Sequence, residues 1–118
     1  MKTHKDLDIW KKSIEMVTKI YKLTRNFPKE ELYGLSSQMR RSAVSVPSNI
    51  AEGSGRNSKN ELLQFLYYAT GSLSELETQF IIAHNLGYVK DEQKQDVDPM
   101  LSNIFKMLSR LIQSLRNV

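Results

Sequence analysis

The stretch SKNELLQFLYYATGSLSELETQFIIA, residues 58–83, decides the fold class. Its apolar or small residues recur in alternating steps of four and three, at Leu62, Leu66, Ala69, Leu73, Leu76, Phe80 and Ala83. This spacing is typical of one face of an α-helix. Ser58 and Glu61 have the spacing of a capping box, with Ser58 as N-cap and the glutamate reaching back to it. Gly87 is placed to end the helix in a left-handed conformation.

The segment before Pro28 predicts a first helix that is apolar on two sides. Its first apolar line is Trp10, Ile14, Val17, Tyr21 and Thr24, and a second line of Ile9, Met16, Ile20 and Leu23 widens that surface. Asp8 is the expected N-cap. Pro28 disfavours a helical conformation at Phe27 and so ends the helix.

A second helix is predicted after a short connection at residues 29–34. Its apolar positions are Leu35, Met39, Ala43, Val46 and Ile50, and it ends near the EGSGR run at residues 52–56. Pro47 lies inside this helix. Because proline removes the hydrogen bond to the carbonyl of Ala43 and crowds that carbonyl, we expect a kink there.

A fourth helix follows from the leucine-rich spacing at the end of the chain. Its apolar positions are Leu101, Ile104, Leu108, Leu111, Leu115 and Val118. Asp98 is the expected N-cap and Pro99 the first-turn proline, with a short extra turn from Asp91 as the alternative.

These elements together predict an all-α protein. No segment has the strict alternation of a half-buried strand. Four helices with short connections favour an antiparallel up-and-down four-helix bundle, and spacing near 3.5 favours packing angles near +20°. With 118 residues and no internal linker, residues 1–118 are expected to form a single domain.

Composition excludes several classes of site and location. The chain has no cysteine, which excludes disulfides, thiolate metal sites and a cysteine nucleophile. The N-terminal segment has neither the apolar core nor the cleavage site of a signal peptide, and no stretch is apolar for long enough to span a membrane. We therefore expect a cytoplasmic protein without membrane contact.

The sequence contains no recognisable catalytic, metal or cofactor motif. No glutamate is followed three residues later by histidine, and Ser-His-Asp and phosphate-loop patterns are absent. His4 lies in a polar segment, and His84 near the end of the third helix is expected to be structural because a cation is favoured there. We predict that the protein is not an enzyme and holds no metal or cofactor.

Basic residues in the first half supply the candidate nucleic-acid site. Residues 1–60 carry a net charge of +6 and residues 61–118 a net charge of −2. The candidate nucleic-acid-binding residues are Arg40, Arg41, Arg56 and Lys59. Arg40 is expected to be an exposed cation. Arg41 shares a stripe with Glu52, so an ion-paired structural role and a ligand-binding role both stay open.

The run from Glu52 to Lys59 also has two interpretations. Its glycines, basic side chains and helix N-terminal amides are suited to holding a phosphate. The favoured interpretation is that Gly53 and Gly55 only supply the positive φ angles of a turn.

Small and aromatic residues indicate contacts between helices or subunits. The small residues are Ser36, Ser37, Ser42, Ser45 and Ser48 on the second helix, and Ala69, Gly71 and Ser72 on the third. Tyr67 and Tyr68 are predicted to be core and interface groups rather than platforms on which bases stack.

Four segments resemble a known family. They are LDIWKKSIEMVTKIYKLTRNFPKEELYGL (7–35), QMRRSAVSVPSNIAEGSGR (38–56), GSLSELE (71–77) and LGYV (86–89). They are similar to the four-helix-bundle proteins encoded by intervening sequences of bacterial 23S rRNA genes. The family-pattern positions carried over are Arg41, Glu52, Gly53, Gly55 and Arg56.

The resemblance implies a left-handed up-and-down bundle that forms a homopentameric, barrel-like ring. It also implies a relation to the accessory variability protein of diversity-generating retroelements, a pentamer with a basic surface that works with a reverse transcriptase and nucleic acid. The expected partners are therefore further copies of the chain, RNA or DNA, and a nucleic-acid enzyme such as a reverse transcriptase. A protein-interaction scaffold without nucleic-acid contact is the alternative function.

Overall fold

The computed structural model describes residues 3–117 and is helical, with no strand in that range. Its four α-helices are α1 (Asp8–Thr24), α2 (Leu35–Ser54), α3 (Lys59–Asn85) and α4 (Asp91–Arg116). Single 3₁₀ turns at His4–Asp6 and Lys29–Glu31 precede α1 and α2. The predicted all-α bundle of four helices is confirmed.

Side-chain contacts between neighbouring helices show how the helices run relative to one another. The pairs are Thr24 with Arg40, Ser45 with Ser72, His84 with Asp91, Tyr67 with Arg116, and Lys19 with Asp96. Helices in contact in this pattern run in opposite directions, as the up-and-down arrangement requires. The left-handed sense of packing stays a prediction.

The core line predicted for α3 is confirmed. Leu66, Leu73, Leu76 and Phe80 are fully buried, as are the alanines of the line, and only Leu62 at its beginning is partly exposed. The four apolar positions of α2 from Met39 to Ile50 are also fully buried. α3 thus contributes a continuous buried line of three heptads and packs against α2 and α4.

Only part of the two-sided apolar surface predicted for α1 is covered within the bundle. The second line is buried, whereas Ile14 and Tyr21 of the first line are 39% and 41% exposed. The buried line contains Ser13, whose hydroxyl donates to the Trp10 carbonyl at 2.7 Å and so needs no external partner. This serine interrupts the apolar pattern at the position where the helix faces the core. The N-cap of α1 is Leu7 rather than Asp8, which is the first helical residue.

The predicted beginning of α4 at Asp98 and Pro99 is also wrong. The helix begins at Asp91, where the extra turn was the alternative, and Pro99 lies inside it. The Lys90 amide donates to the Gln93 side-chain oxygen at 2.8 Å, and Asp98 forms an ion pair with Lys94 one turn earlier. These contacts stabilise a turn that leads continuously into the proline.

The core positions of α4 differ from the prediction towards its end. Leu101, Ile104 and Leu108 are buried as expected, and they are joined by Val97 and Ile112. Leu111 and Leu115 are only partly buried, and Val118 lies outside the described residues. The buried line therefore follows the true helical repeat, which drifts away from a strict heptad over this length.

The glycines between α2 and α3 do not supply positive φ angles, contrary to the favoured interpretation. Gly53 is buried inside α2, and Gly55 has a right-handed φ of −84°. Within residues 3–117, Gly87 is the one residue with a positive φ, +82°, as predicted for the end of α3. A Cβ atom at Gly53 would lie 2.8 Å from the Phe65 Cβ, so this glycine is needed for close helix packing. Pro47 leaves α2 continuous to Ser54, and the kink stays a prediction.

Candidate nucleic-acid interface

The four basic residues predicted to bind nucleic acid lie in two separate places. Arg40 and Arg41 are in the second turn of α2, whereas Arg56 and Lys59 flank the connection to α3. At 1.5 Å per residue, the length of α2 between these places is about 20 Å. They do not form one continuous basic patch.

Arg40 is committed to contacts within the subunit. Its Nε donates to the Thr24 hydroxyl at 2.9 Å, and its guanidinium lies 5.0 Å from the centre of the Tyr21 ring. The side chain is half-buried, so the prediction that Arg40 is a simple exposed cation is wrong. Because both partners belong to the last turns of α1, Arg40 fixes the end of α1 against α2.

Arg41 is exposed at the edge of a polar hollow between α2 and α3. The hollow has a volume of ≈ 390 Å³ and is lined by Gln38, Arg41, Ser42, Ser45, Ser72, Glu75 and Gln79. A hydrogen bond of 2.8 Å joins the hydroxyls of Ser45 and Ser72 across it. The Gln79 side-chain oxygen is buried without a hydrogen-bond partner. The small serines thus bring α2 and α3 close together, as predicted.

Arg56, rather than Arg41, pairs with Glu52. The guanidinium lies 3.2 Å from the Glu52 carboxylate and 3.8 Å from that of Glu61, and 5.0 Å from the centre of the Phe65 ring. Two carboxylates therefore offset its charge. The Glu61 carboxylate contacts Arg56. For the predicted capping box, the structure describes the hydrogen bond in which the Glu61 amide donates to the Ser58 hydroxyl at 3.0 Å. Lys59 is exposed in the first turn of α3.

A larger groove lies between the first half of α3 and the second half of α4. Its volume is ≈ 810 Å³, and it is lined by Tyr67, Thr70, Phe105, Lys106, Ser109, Ile112, Gln113, Arg116 and Asn117. Arg116 donates to the Tyr67 hydroxyl at 3.2 Å and so joins the two walls. Tyr67 and Tyr68 are about half exposed, 47% and 49%, so the prediction that they are core groups is wrong, and their predicted role at an interface stays a prediction. The sequence pattern did not predict this groove.

Among the described residues that line this groove, the charged side chains, Lys106 and Arg116, are both positive. Residues 62–74 of α3 contain no charged side chain, and residues 99–118 contain Lys106, Arg110 and Arg116 but no Asp or Glu. The acidic residues of the second half, other than Glu61, lie between residues 75 and 98. Averaging over residues 61–118 gave a net charge of −2 and concealed this separation. The absence of acidic residues after Asp98 is the feature of the sequence from which this separation of charge could have been predicted.

An apolar surface covers the outer side of α1 and α2. His4, Trp10, Ile14, Val17, Val44, Pro47, Ser48 and Ala51 line a shallow hollow of ≈ 260 Å³ there. The rings of His4 and Trp10 meet edge to face with centres 5.1 Å apart. Ile14 and Tyr21 of the first apolar line of α1 are therefore available for contact with another molecule.

Titratable groups near the α3–α4 connection have structural partners. His84 Nε2 lies 2.8 Å from Asp91 Oδ1 and links the end of α3 to the beginning of α4. The Tyr88 hydroxyl donates to Glu31 at 2.9 Å, and this hydrogen bond raises the pKa of Tyr88 above its ordinary value of 10.0. Within residues 3–117, no three His, Cys, Asp or Glu side chains are grouped as a metal site would require.

Comparison with known proteins gives a family and a structural relative. The family model described as 23S rRNA-intervening sequence protein matches residues 5–110. The chain is similar to the 1.70 Å crystal structure of a protein of unknown function from the S23 ribosomal protein family of Bacteroides thetaiotaomicron VPI-5482. The TM-score is 0.82 and the identity 24%, over 89% of this chain and 95% of the other. No curated protein matches the chain. None of the helices in the described part is long and apolar enough to cross a membrane.

Proposed function

Since the chain belongs to the 23S rRNA-intervening sequence protein family, we propose that it is a non-catalytic, cytoplasmic homo-oligomer that binds RNA or DNA in an accessory role. The observation that carries this proposal is the separation of charge in the second half of the chain. Lys106, Arg110 and Arg116 have no Asp or Glu among residues 99–118 to offset them. Cations in such a setting attract the phosphates of a nucleic acid and release its counterions on binding.

Two separate apolar surfaces support assembly with further copies of the chain. One is the α1–α2 surface around Ile14 and Tyr21, and the other lies at the end of α3, where Ile81, Ile82 and Leu86 are about half exposed. Contacts between two different patches are heterologous, and they give a closed ring when the rotation between subunits permits. The resemblance of the sequence to the four-helix-bundle proteins of 23S rRNA intervening sequences implies that this ring is a pentamer.

Assembly would compensate for the weakness of each site. A net charge of +4 per chain gives only modest attraction to a polyanion. A ring presents the same cations several times to one strand, which raises the apparent affinity without any new contact. A nucleic-acid enzyme such as a reverse transcriptase is the protein partner expected for this accessory role.

The test measures the mass of the protein in solution with and without nucleic acid. The protein is purified with nuclease and high salt, and light scattering after size-exclusion chromatography is recorded with mixed RNA or single-stranded DNA at two salt concentrations. We expect a mass five times that of the chain and binding that weakens as salt rises. A monomer contradicts the assembly, and binding that is equal at both salt concentrations contradicts the phosphate mechanism.

The exposed apolar surface of α1 favours a second candidate function. A surface with Ile14 and Tyr21 about 40% exposed suits a protein-interaction scaffold that makes no nucleic-acid contact. An oligomer that ignores RNA and DNA, and that retains one protein partner after nuclease treatment, would favour this scaffold over the nucleic-acid role.

A further inference from the structure

We propose that the groove between the first half of α3 and the second half of α4 binds single-stranded nucleic acid, with a base stacked on Tyr67 and phosphates at Lys106 and Arg116. This inference rests on the proposed function and gives it a location. The location differs from the four residues that the sequence predicted.

The two walls of the groove combine aromatic and cationic groups. Tyr67 on α3 and Phe105 on α4 both line it, together with Lys106 and Arg116. The bond from Arg116 to the Tyr67 hydroxyl holds the phenol ring in place while about half of the side chain stays exposed. An aromatic ring that is held and accessible offers a face on which any base can stack.

The charge of the lining selects this groove over the other basic positions. No Asp or Glu is among the described residues that line it, whereas Glu75 lines the hollow beside Arg41 and two carboxylates contact Arg56. A phosphate entering either of those places meets a like charge. The α3–α4 groove offers cations without that repulsion.

The length of the groove favours a polymer over a single anion. Lys106 and Arg116 are ten residues apart on α4, about 15 Å along the axis. One phosphate does not contact both, whereas a strand that carries a phosphate at every nucleotide does. The ≈ 810 Å³ of the groove is within the range of sites that hold an organic ligand. A duplex is disfavoured because its bases are already stacked on one another.

The experiment measures binding by fluorescence anisotropy at several salt concentrations. The probes are fluorescein-labelled oligouridine and oligothymidine of about 12 nucleotides and a duplex of the same length. Tyr67→Ala is compared with Tyr68→Ala, a neighbouring tyrosine of the same exposure that does not line the groove. Lys106→Gln is compared with Arg25→Gln, which makes the same change of charge at the end of α1. Tyr67→Phe retains the ring and removes the hydroxyl that Arg116 contacts.

We expect Tyr67→Ala to weaken single-strand binding by about ten-fold or more, and Tyr67→Phe to weaken it much less. Lys106→Gln should lower the slope of log affinity against log salt by about 0.7, the value for one phosphate contact in a single strand. Tyr68→Ala and Arg25→Gln should retain the wild-type values. The duplex should bind more weakly than either single strand, and the two single strands show whether RNA or DNA is preferred.

Three results overturn the inference. If wild-type protein binds but Tyr67→Ala matches Tyr68→Ala and Lys106→Gln matches Arg25→Gln, the groove is not the site and the proposed function stands. Tighter binding of the duplex overturns the stacking mechanism. If wild-type protein binds none of the probes, the inference and the nucleic-acid function fail together. The solution mass of each variant is also recorded. If Tyr67→Ala changes the assembly, the comparison of Lys106→Gln with Arg25→Gln decides whether the groove is the binding site.

Discussion

Replacing Gly53 by alanine tests how closely α2 approaches α3. A Cβ atom at this position would lie 2.8 Å from the Phe65 Cβ and 3.1 Å from a Leu62 methyl group. The Phe65 Cβ is bonded directly to the backbone of α3, so rotation of a side chain does not relieve the contact. The two helices must separate, or the turn that carries Phe65 must shift.

The expected change in stability is the difference of two effects. Overpacking a well-packed contact costs about 1–3 kcal/mol, and a backbone-attached neighbour places this case in the upper half of that range. Alanine is better than glycine inside a helix by about 1 kcal/mol, which offsets part of the cost. We therefore expect Gly53→Ala to lower the free energy of unfolding by about 1–2 kcal/mol.

Gly71 provides the matched control. It lies inside α3 with nothing within 4 Å of an added Cβ, so Gly71→Ala should gain the helix-propensity term of about 1 kcal/mol without a clash. Urea unfolding followed by circular dichroism measures both variants at one protein concentration, because assembly makes apparent stability concentration-dependent. Their free energies of unfolding should differ by about 2–3 kcal/mol. In thermal unfolding, at about 4 °C per kcal/mol, their melting temperatures should differ by about 8–12 °C. If Gly53→Ala stabilises the protein as much as Gly71→Ala, the close approach of α2 and α3 is wrong.

Three further predictions follow from the core, α4 and the α3–α4 connection. Leu73→Ala and Leu108→Ala should each cost about 2–5 kcal/mol in urea unfolding because both side chains are fully buried, and a loss below ~0.5 kcal/mol would mean that the core face is misassigned. Pro99→Ala should raise the free energy of unfolding by up to about 3 kcal/mol, and with it the melting temperature, because it restores a backbone donor at an exposed position inside α4. An unchanged melting temperature would contradict this. Absorbance titration should show that Tyr88 ionises above pH 10.0 and that Glu31→Gln lowers its pKa. Because the folded state favours the protonated phenol, the contribution of this hydrogen bond to the stability of the fold is complete below pH 10.0. It is lost as the pH rises through the pKa of Tyr88 in the folded state.

The helical bundle and most of its core could be predicted from residue spacing. The α3 line succeeded because the inward positions of that helix are all apolar and no polar residue interrupts them. In α1 two apolar lines compete, and Ser13 occupies an inward position of the correct one. A helix whose outer side is also apolar carries two such lines, and their spacing does not say which one meets the core.

The boundaries of α4 show a second limit of sequence patterns. Asp98 followed by Pro99 has the pattern of a helix beginning, yet the helix begins one to two turns further towards the N-terminus, at Asp91. A proline removes one donor, and the interactions of Lys90 with Gln93 and of Lys94 with Asp98 hold the turns before it. The local preference of Asp98 and Pro99 for a helix N-terminus was therefore weaker than these contacts together.

The candidate site was the least predictable part because it depends on which charges meet in space. Arg40 and Arg56 were identified as cations, but their ring and hydrogen-bond partners come from other helices or from turns further along the chain. Tyr67 and Arg116 are 49 positions apart and lie together only because α3 and α4 run in opposite directions. Charge summed over half of the chain did not resolve such a pairing.

The uncharged first half of α3 has a consequence for the chain before it folds. Residues 62–74 contain no charged residue and no proline, and they include three aromatic residues. A segment of this composition tends to associate as β-structure when it is exposed on an unfolded chain. Lys59 and Glu61 before it, and Glu75 and Glu77 after it, act as gatekeepers that discourage such association. Removal of these flanking charges is therefore expected to lower the yield of soluble protein by more than the loss of the Arg56–Glu61 contact in the folded bundle explains.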